Sequence, residues 1–299
     1  MNLFDQLVAT ALTKYSGANP LIMVVEKELL HHDILREMSV AGLLEKLTFM
    51  GGTCLRACYG SQRLSEDLDF SGGIDFNQEC LAELPHLLID TLYRKYGFTV
   101  VVSEPKRESG NVDTWKVKIV TRPEQRGMPV QRINIDICAI PSYDKRPMML
   151  NNHYGVDMGT SGLIVQVESR EEILADKLIA LALRPGRIKN RDLWDIAWLN
   201  QQGVRLPMEV LKMKIVDHRQ SVTDYCSMLA YRSGQLLNDI SARKDFEDEM
   251  RRFLPVHIVE ETIENMNFWA YLKDSVITSC NQVIGTLTGT TPNPAFNMG

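Results

Sequence analysis

No run of about 18 apolar residues that could cross a bilayer occurs anywhere in the sequence. The first residues, MNLFDQLVATALTKYSG, lack the basic segment, long apolar stretch and cleavage site of a secretion signal, so the expected compartment is the cytoplasm, with no membrane partner. The six cysteines, at 54, 58, 80, 138, 226 and 280, include no C-x-x-C pair. Most sit in apolar helix or strand patterns, where a thiol acts as a small hydrophobe, which argues against a zinc site or a disulfide framework. Positive charge is in deficit: the net charge of −5 excludes a general cationic coat for nucleic acid while leaving a local basic patch open. No internal repeat is present. What remains is an ordinary folding chain of 299 residues, 44% hydrophobic and 24% charged, enough for one large domain or two modest ones.

Residues 20–38, PLIMVVEKELLHHDILREM, carry apolar side chains at helical spacing, and SVAGLLEKL (39–47) reads as a second helix with Ser39 as its N-cap. FTVVVSE (98–104), WKVKIVTR (115–122) and INIDICAI (133–140) are β-branched and alternating, as strands are, and LAELPHLLIDTLYRKYG (81–97) reads as a helix between them. From 171 the pattern turns helical: EEILADKLIALALR, RDLWDIAWLNQQ, PMEVLKMKIVD and two stretches around 241–254 and 257–284. The expected fold is therefore α/β (α+β): N-terminal helices over 1–47, a mixed-sheet core over 48–160, a helical half over 161–284 and a poorly ordered tail over 285–299.

The chemistry concentrates in FMGGTCLRACYGSQRLSEDLDF, residues 49–70. In SEDLDF, alternation sends Leu68 and Phe70 to one face and Asp67 and Asp69 to the other, two carboxylates about 7 Å apart along a strand. Like charges so placed favour a bound hard cation. In INIDICAI the same alternation buries Ile133, Ile135 and Ile137 and turns Asn134 and Asp136 outward. A third carboxylate on a neighbouring strand would complete a two-metal site for phosphoryl or nucleotidyl transfer. The Gly51-Gly52-Thr53 turn offers backbone amides, a helix start and a hydroxyl to an anion such as a triphosphate. Singly, Asp-x-Asp is commonly a solvated turn and Gly-Gly-Thr a plain helix entry; their order along the chain is what is specific.

In EEILADKLIAL, Lys177 projects from the face that should be buried, either snorkelling to solvent or aimed into a cleft as a phosphate ligand. In RDLWDIAWL, Asp192 and Asp195 share a helical face, and Asp192 fits equally a first-turn acid that complements the helix dipole. Between these helices RPGRIKNR (184–191) places four cations in a loop, which can hold an RNA backbone or simply be solvated.

The 49–70 stretch resembles the opening motif of the AbiEii/AbiGii toxin family, minimal nucleotidyltransferases of the DNA polymerase β-like superfamily. VEKELLHHDILREM, INIDI, EEILADK and RDLWDI follow in the family's order, so the resemblance covers residues 20–200; the last hundred carry no matching motif. It implies a nucleotidyltransferase core and a phage-defence toxin with a cognate antitoxin. Such a toxin moves a nucleoside monophosphate from an NTP to an acceptor, foremost the 3′ end of tRNA. By position, Asp67, Asp69 and Asp136 would hold Mg²⁺, in two sites, and Gly51, Gly52, Thr53, Ser65 and Lys177 the nucleotide. Lys177 would also share in catalysis with Asp192 and Asp195 of the last acidic motif. One departure is Asn134, where a lysine is expected two residues before the third acid; it bears on how nucleotide or acceptor is held. Two alternatives stay open: a phosphotransferase or protein-nucleotidylating enzyme on the same site, and a non-catalytic nucleotide-sensing or partner-binding module.

Overall fold

Alternating apolar and polar residues build one sheet whose centre carries the acidic motif. The computed structural model describes residues 2–13, 21–105, 110–124 and 130–290. The strands are β1 (Thr48–Met50), β2 (Leu68–Ser71), β3 (Thr99–Ser103), β4 (Val112–Val120), β5 (Gln131–Cys138), β6 (Lys145–Met149) and β7 (Ile164–Glu168). Their order is β3-β4-β5-β2-β1-β7-β6, with β2/β5 and β1/β7 parallel and the remaining pairs antiparallel. Along β5, Ile133, Ile135 and Ile137 are at most 1% exposed, whereas Arg132, Asn134 and Asp136 open toward solvent. Trp115, Val117 and Ile119 of β4 and Leu68 and Phe70 of β2 continue the same buried face.

Among the described residues, four α-helices lie wholly in the first unit, Met1–Ser169 with Arg252–Ile258: α1 (Leu3–Leu12), α2 (Ile22–Val40), α3 (Gly51–Tyr59) and α4 (Leu84–Tyr96). α4 packs on β3, α2 lies against α1, α4 and β5, and α3 rests on β1 and β2. Phe4, Tyr96 and Phe98 form an aromatic node, with centroids 4.9 to 5.2 Å apart.

The second unit, Arg170–Arg251 with Val259–Gly299, is helical. It comprises α5 (Arg170–Leu183), α6 (Asn190–Gln201), α7 (Met208–Asp217), α8 (Val222–Asn238), α9 (Ala242–Met250) and, after α10 (Val256–Glu261) at the second chain crossing, α11 (Phe268–Thr288). Leu211 and Ile215 of α7, Tyr225 and Leu229 of α8 and Leu272 and Val276 of α11 are fully buried. Among the described residues no helix is long and apolar enough to cross a membrane.

Several expectations are corrected. Residues 41–46 are turns rather than a second helix, because Gly42 adopts φ +73° and its N–H returns to Ser39 O at 3.0 Å. The division between units falls at Arg170, not 161, because β7 pairs with β1 and β6 and belongs to the sheet. The stretch 257–284 is two helices, and α11 runs on to Thr288, past the expected start of the tail at 285; residues 291–299 of that tail lie outside the described residues. α8, unforeseen, is started by Ser221, whose hydroxyl accepts from the Asp224 N–H at 3.0 Å.

Candidate active site

The parallel register of β2 and β5 sets Asp69 directly beside Asp136, one strand spacing of about 4.8 Å away. Asp67 stands just before β2 rather than within it, and its Oδ1 accepts the Asn134 N–H at 3.0 Å, which ties it to the same strand. The Thr114 hydroxyl of β4 donates to Asp136 Oδ1 at 2.6 Å and fixes the plane of that carboxyl group. All three acids are half-buried and are gathered in one patch of the first unit.

β1 delivers the chain to this patch and turns at once into α3. Gly51 takes φ +74°, and a Cβ added there would fall 2.5 Å from Asp69 Oδ2, so only glycine lets the helix start approach the carboxylate. Met50 before it is extended and makes no side-chain cap, so the first amides of α3, from Gly51, Gly52 and Thr53, have no intrahelical acceptor. Thr53 is buried: its hydroxyl donates to the carbonyl of Asp67 and lies 2.8 Å from Ser65 Oγ. Both hydroxyls thus hold the segment that presents Asp67.

Behind that segment lies Glu28 of α2, whose Oε1 accepts the Ser65 N–H at 3.1 Å and whose Oε2 accepts from Arg56 Nε at 3.3 Å and from the Tyr154 hydroxyl. Burial pushes the Glu28 carboxyl up, but Arg56, Tyr154 and Ser65 outweigh it and hold it below the ordinary value. His31 Nε2 donates to Glu66 O at 3.0 Å from the same helix.

In the second unit Lys177 is neither snorkelling nor aimed at open space. Its ammonium is 2.8 Å from Asp192 Oδ1 and 2.8 Å from Asp195 Oδ2, and Arg184 closes on the other oxygen of Asp192. Burial alone would raise the Asp192 pKa; the Lys177 and Arg184 charges outweigh it and keep that carboxyl well below the carboxylate range. In the basic loop, Arg184 is thereby engaged and Arg191 reaches Glu249 at 3.5 Å, while Arg187 is exposed. The expected site residues therefore form two groups, Asp67, Asp69 and Asp136 with Gly51, Gly52, Thr53 and Ser65 in the first unit, and Lys177, Asp192 and Asp195 in the second.

A family described as nucleotidyl transferase AbiEii toxin of type IV toxin–antitoxin systems matches residues 33–273. The chain belongs to the AbiEii family. As a member it is a nucleotidyltransferase toxin, which takes a nucleoside triphosphate and has an antitoxin partner. The fold is that of MenT4, a nucleotidyltransferase toxin from Mycobacterium tuberculosis H37Rv, at TM-score 0.54 and 15% identity over 95% of this chain and 98% of that one. JHP933 from Helicobacter pylori is similar at TM-score 0.45 and 18% identity over 88% and 94%. No curated protein sequence matches the chain.

AbiEii enzymes generally use a divalent cation, and the donor set suits one. Among the described residues no three acids, cysteines or histidines already form a closed metal cage. A closed cage is not what a magnesium ion shared with a triphosphate needs: one or two carboxylates suffice, the phosphates and water supplying the rest. Asp69 and Asp136 are such a pair, hard oxygens side by side, with Asp67 adjoining them.

The candidate site residues legible in the sequence of this AbiEii chain do not include Glu28, Thr114 or the exposed Lys116 and Lys118 of β4. Thr114, Lys116 and Lys118 carry a sequence signal, since they alternate with Trp115, Val117 and Ile119, Thr114 lying one residue outside the expected limit; Glu28 carries none.

Proposed function

We propose that this AbiEii chain transfers a nucleoside monophosphate from an NTP to the 3′-hydroxyl of an RNA, tRNA foremost, as the toxic step of a phage-defence system. The observation that carries the reading is Asp69 facing Asp136 in register, with the uncapped start of α3 against Asp69. Asp67, Asp69 and Asp136 are the proposed ligands of Mg²⁺, which would supply charge neutralisation at the triphosphate and the entering oxygen. The amides at Gly51, Gly52 and Thr53, which have no intrahelical acceptor, take the β- and γ-phosphate oxygens, favoured by the positive helix end. Asp136, held by Thr114, orients the acceptor hydroxyl and accepts its proton. The acceptor oxygen then bonds to the α-phosphorus as the bond to the departing pyrophosphate breaks. Thr53 and Ser65 act by positioning, since their hydroxyls are spent on the chain that carries Asp67.

For Lys177, Asp192 and Asp195 the resemblance implies a share in the reaction, and the two ion pairs hold the ammonium in place. The test is incubation of the protein with each α-phosphate-labelled NTP and bulk tRNA, with and without EDTA. Label should enter tRNA with Mg²⁺ only, and Asp69→Asn should abolish it. No transfer with any of the four nucleotides, from protein that arrests growth, would refute the reading; a mass gain of one phosphate would replace it with γ-phosphoryl transfer.

A further inference from the structure

The face of the sheet that carries Asp69 and Asp136 does not end at them. In the register of β4 on β5, Thr114 stands opposite Asp136, Lys116 opposite Asn134 and Lys118 opposite Arg132. Residues opposed in this way share a face, so Lys116, Lys118 and Arg132 lie on the side where the carboxylates open. All three are exposed, and among the described residues none of them makes an ion pair. β3 extends the face with Thr99, Val101 and Ser103, all exposed, Val101 opposite Lys118 and Ser103 opposite Lys116. From Asp136 to Arg132 is four residues along β5, about 13 Å. On a chain with a net charge of −5, three cations without acidic partners within that span form a local departure from the molecule's overall sign.

Their side of the carboxylates matters. The sheet order places β1, with the α3 start behind it, on one flank of the β2/β5 pair and β4 on the other. Displacement at phosphorus is in line, so entering and leaving oxygens occupy opposite sides of the reacting centre. If the triphosphate lies on the α3 flank, the acceptor enters from the β4 flank, where the cations are. We infer that Lys116, Lys118 and Arg132 form a phosphate-binding track for the RNA strand that brings its 3′ end to Asp136. This rests on the nucleotidyltransfer reading for its direction, but the binding it asserts is measurable without turnover. The track needs no base contacts: exposed lysines and an arginine bind the backbone, so recognition through it is insensitive to sequence.

The experiment uses the full chain, fluorescein-labelled bulk tRNA and EDTA buffer, with anisotropy read between about 50 and 200 mM salt. Lys116→Ala, Lys118→Ala and Arg132→Ala combined should weaken binding at least tenfold at the low-salt end. The slope of log affinity against log salt should shrink by about 2 to 3, at roughly 0.7 to 0.9 for each of the three lost phosphate contacts. Lys116→Arg with Lys118→Arg should keep both values near wild type. Because the three side chains are exposed, circular dichroism and Tm should not change; with labelled NTP, KM for tRNA should rise and KM for the nucleotide should not. Failure of the wild type to bind tRNA at low salt, unchanged affinity and slope in the triple variant, or a rise confined to the nucleotide KM would each overturn the track. Asp69→Asn separates the two ideas: it should lose transfer and keep tRNA binding. Binding that depends on the three cations, without transfer by the wild type, would leave the track standing and sink the enzymatic reading.

Discussion

Gly51 shows how much of the site hangs on one missing methyl group. A Cβ there meets Asp69 Oδ2 at 2.5 Å on a backbone of φ +74°, whereas Gly60, at the other end of α3 with φ +80°, has open space around it. Gly60→Ala should cost only the left-handed backbone strain, about 1 to 2 kcal/mol, and leave nucleotide transfer unchanged. Gly51→Ala should lose a similar amount of stability and in addition about 100-fold in rate, because it displaces a carboxylate whose placement matters at the ångström scale. Parallel measurements of Tm and single-turnover rate on the two variants check this; equal rates would remove Asp69 from the reaction. At this scale the alternation of SEDLDF and INIDI already told which side chains share a face. It did not tell that Asp67 lies outside the strand, because a backbone amide of β5 captures its carboxylate.

Among the elements, α2 is the one whose role was hidden. Glu26, Glu28, His31, His32 and Asp33 are all buried on it, so its sequence lacks the clean apolar stripe of a surface helix. Glu28 is the hinge of its polar side, with Arg56 of α3, Tyr154 and the Ser65 amide all bound to one carboxylate. Glu28→Ala would remove the buried carboxylate that the Arg56 guanidinium, the Tyr154 hydroxyl and the Ser65 amide share. The expected loss is about 3 to 5 kcal/mol, read from denaturant unfolding. Loss of under about 1 kcal/mol would mean that water reaches Arg56. In the second unit, Asp192 and Asp195 bind α6 to Lys177 of α5, and Lys214 binds α7 to Glu172 and Asp176 of the same helix. A sequence in which both lysines fall on buried faces gives no indication of partners that are 15 to 42 residues away.

For the whole molecule, histidine burial sets the response to acid. His31, His32 and His153 in the first unit and His218 in the second are all pushed down by burial, His32 to about 4. The unfolded chain takes up these protons near pH 6.5. Between that value and the lower folded ones the unfolded state binds more protons, so stability is full above about pH 6.5 and drains as the pH falls. His32 alone accounts for up to about 3 kcal/mol across its window. Thermal unfolding should show Tm dropping from pH 7.5 to 5, and His32→Gln should flatten that slope while starting from a lower Tm. A Tm that rises on acidification would contradict the burial of these rings.

The direction of each side chain along β2, β4 and β5, the break before α5 and the order of the acidic motifs were readable from residue patterns, because strand and helix periodicities are properties of the local backbone. That Asp136 would join Asp67 and Asp69 was expected from the order of the motifs; which residues pair with which was not. That Asp69 faces Asp136 across 67 residues of sequence, that Lys116 stands opposite Asn134, and that Lys177 is bridged by two acids all depend on register and packing between distant segments. Such pairings are selected when the sheet and the helical layers close, by the total apolar surface they bury, and no local period encodes them.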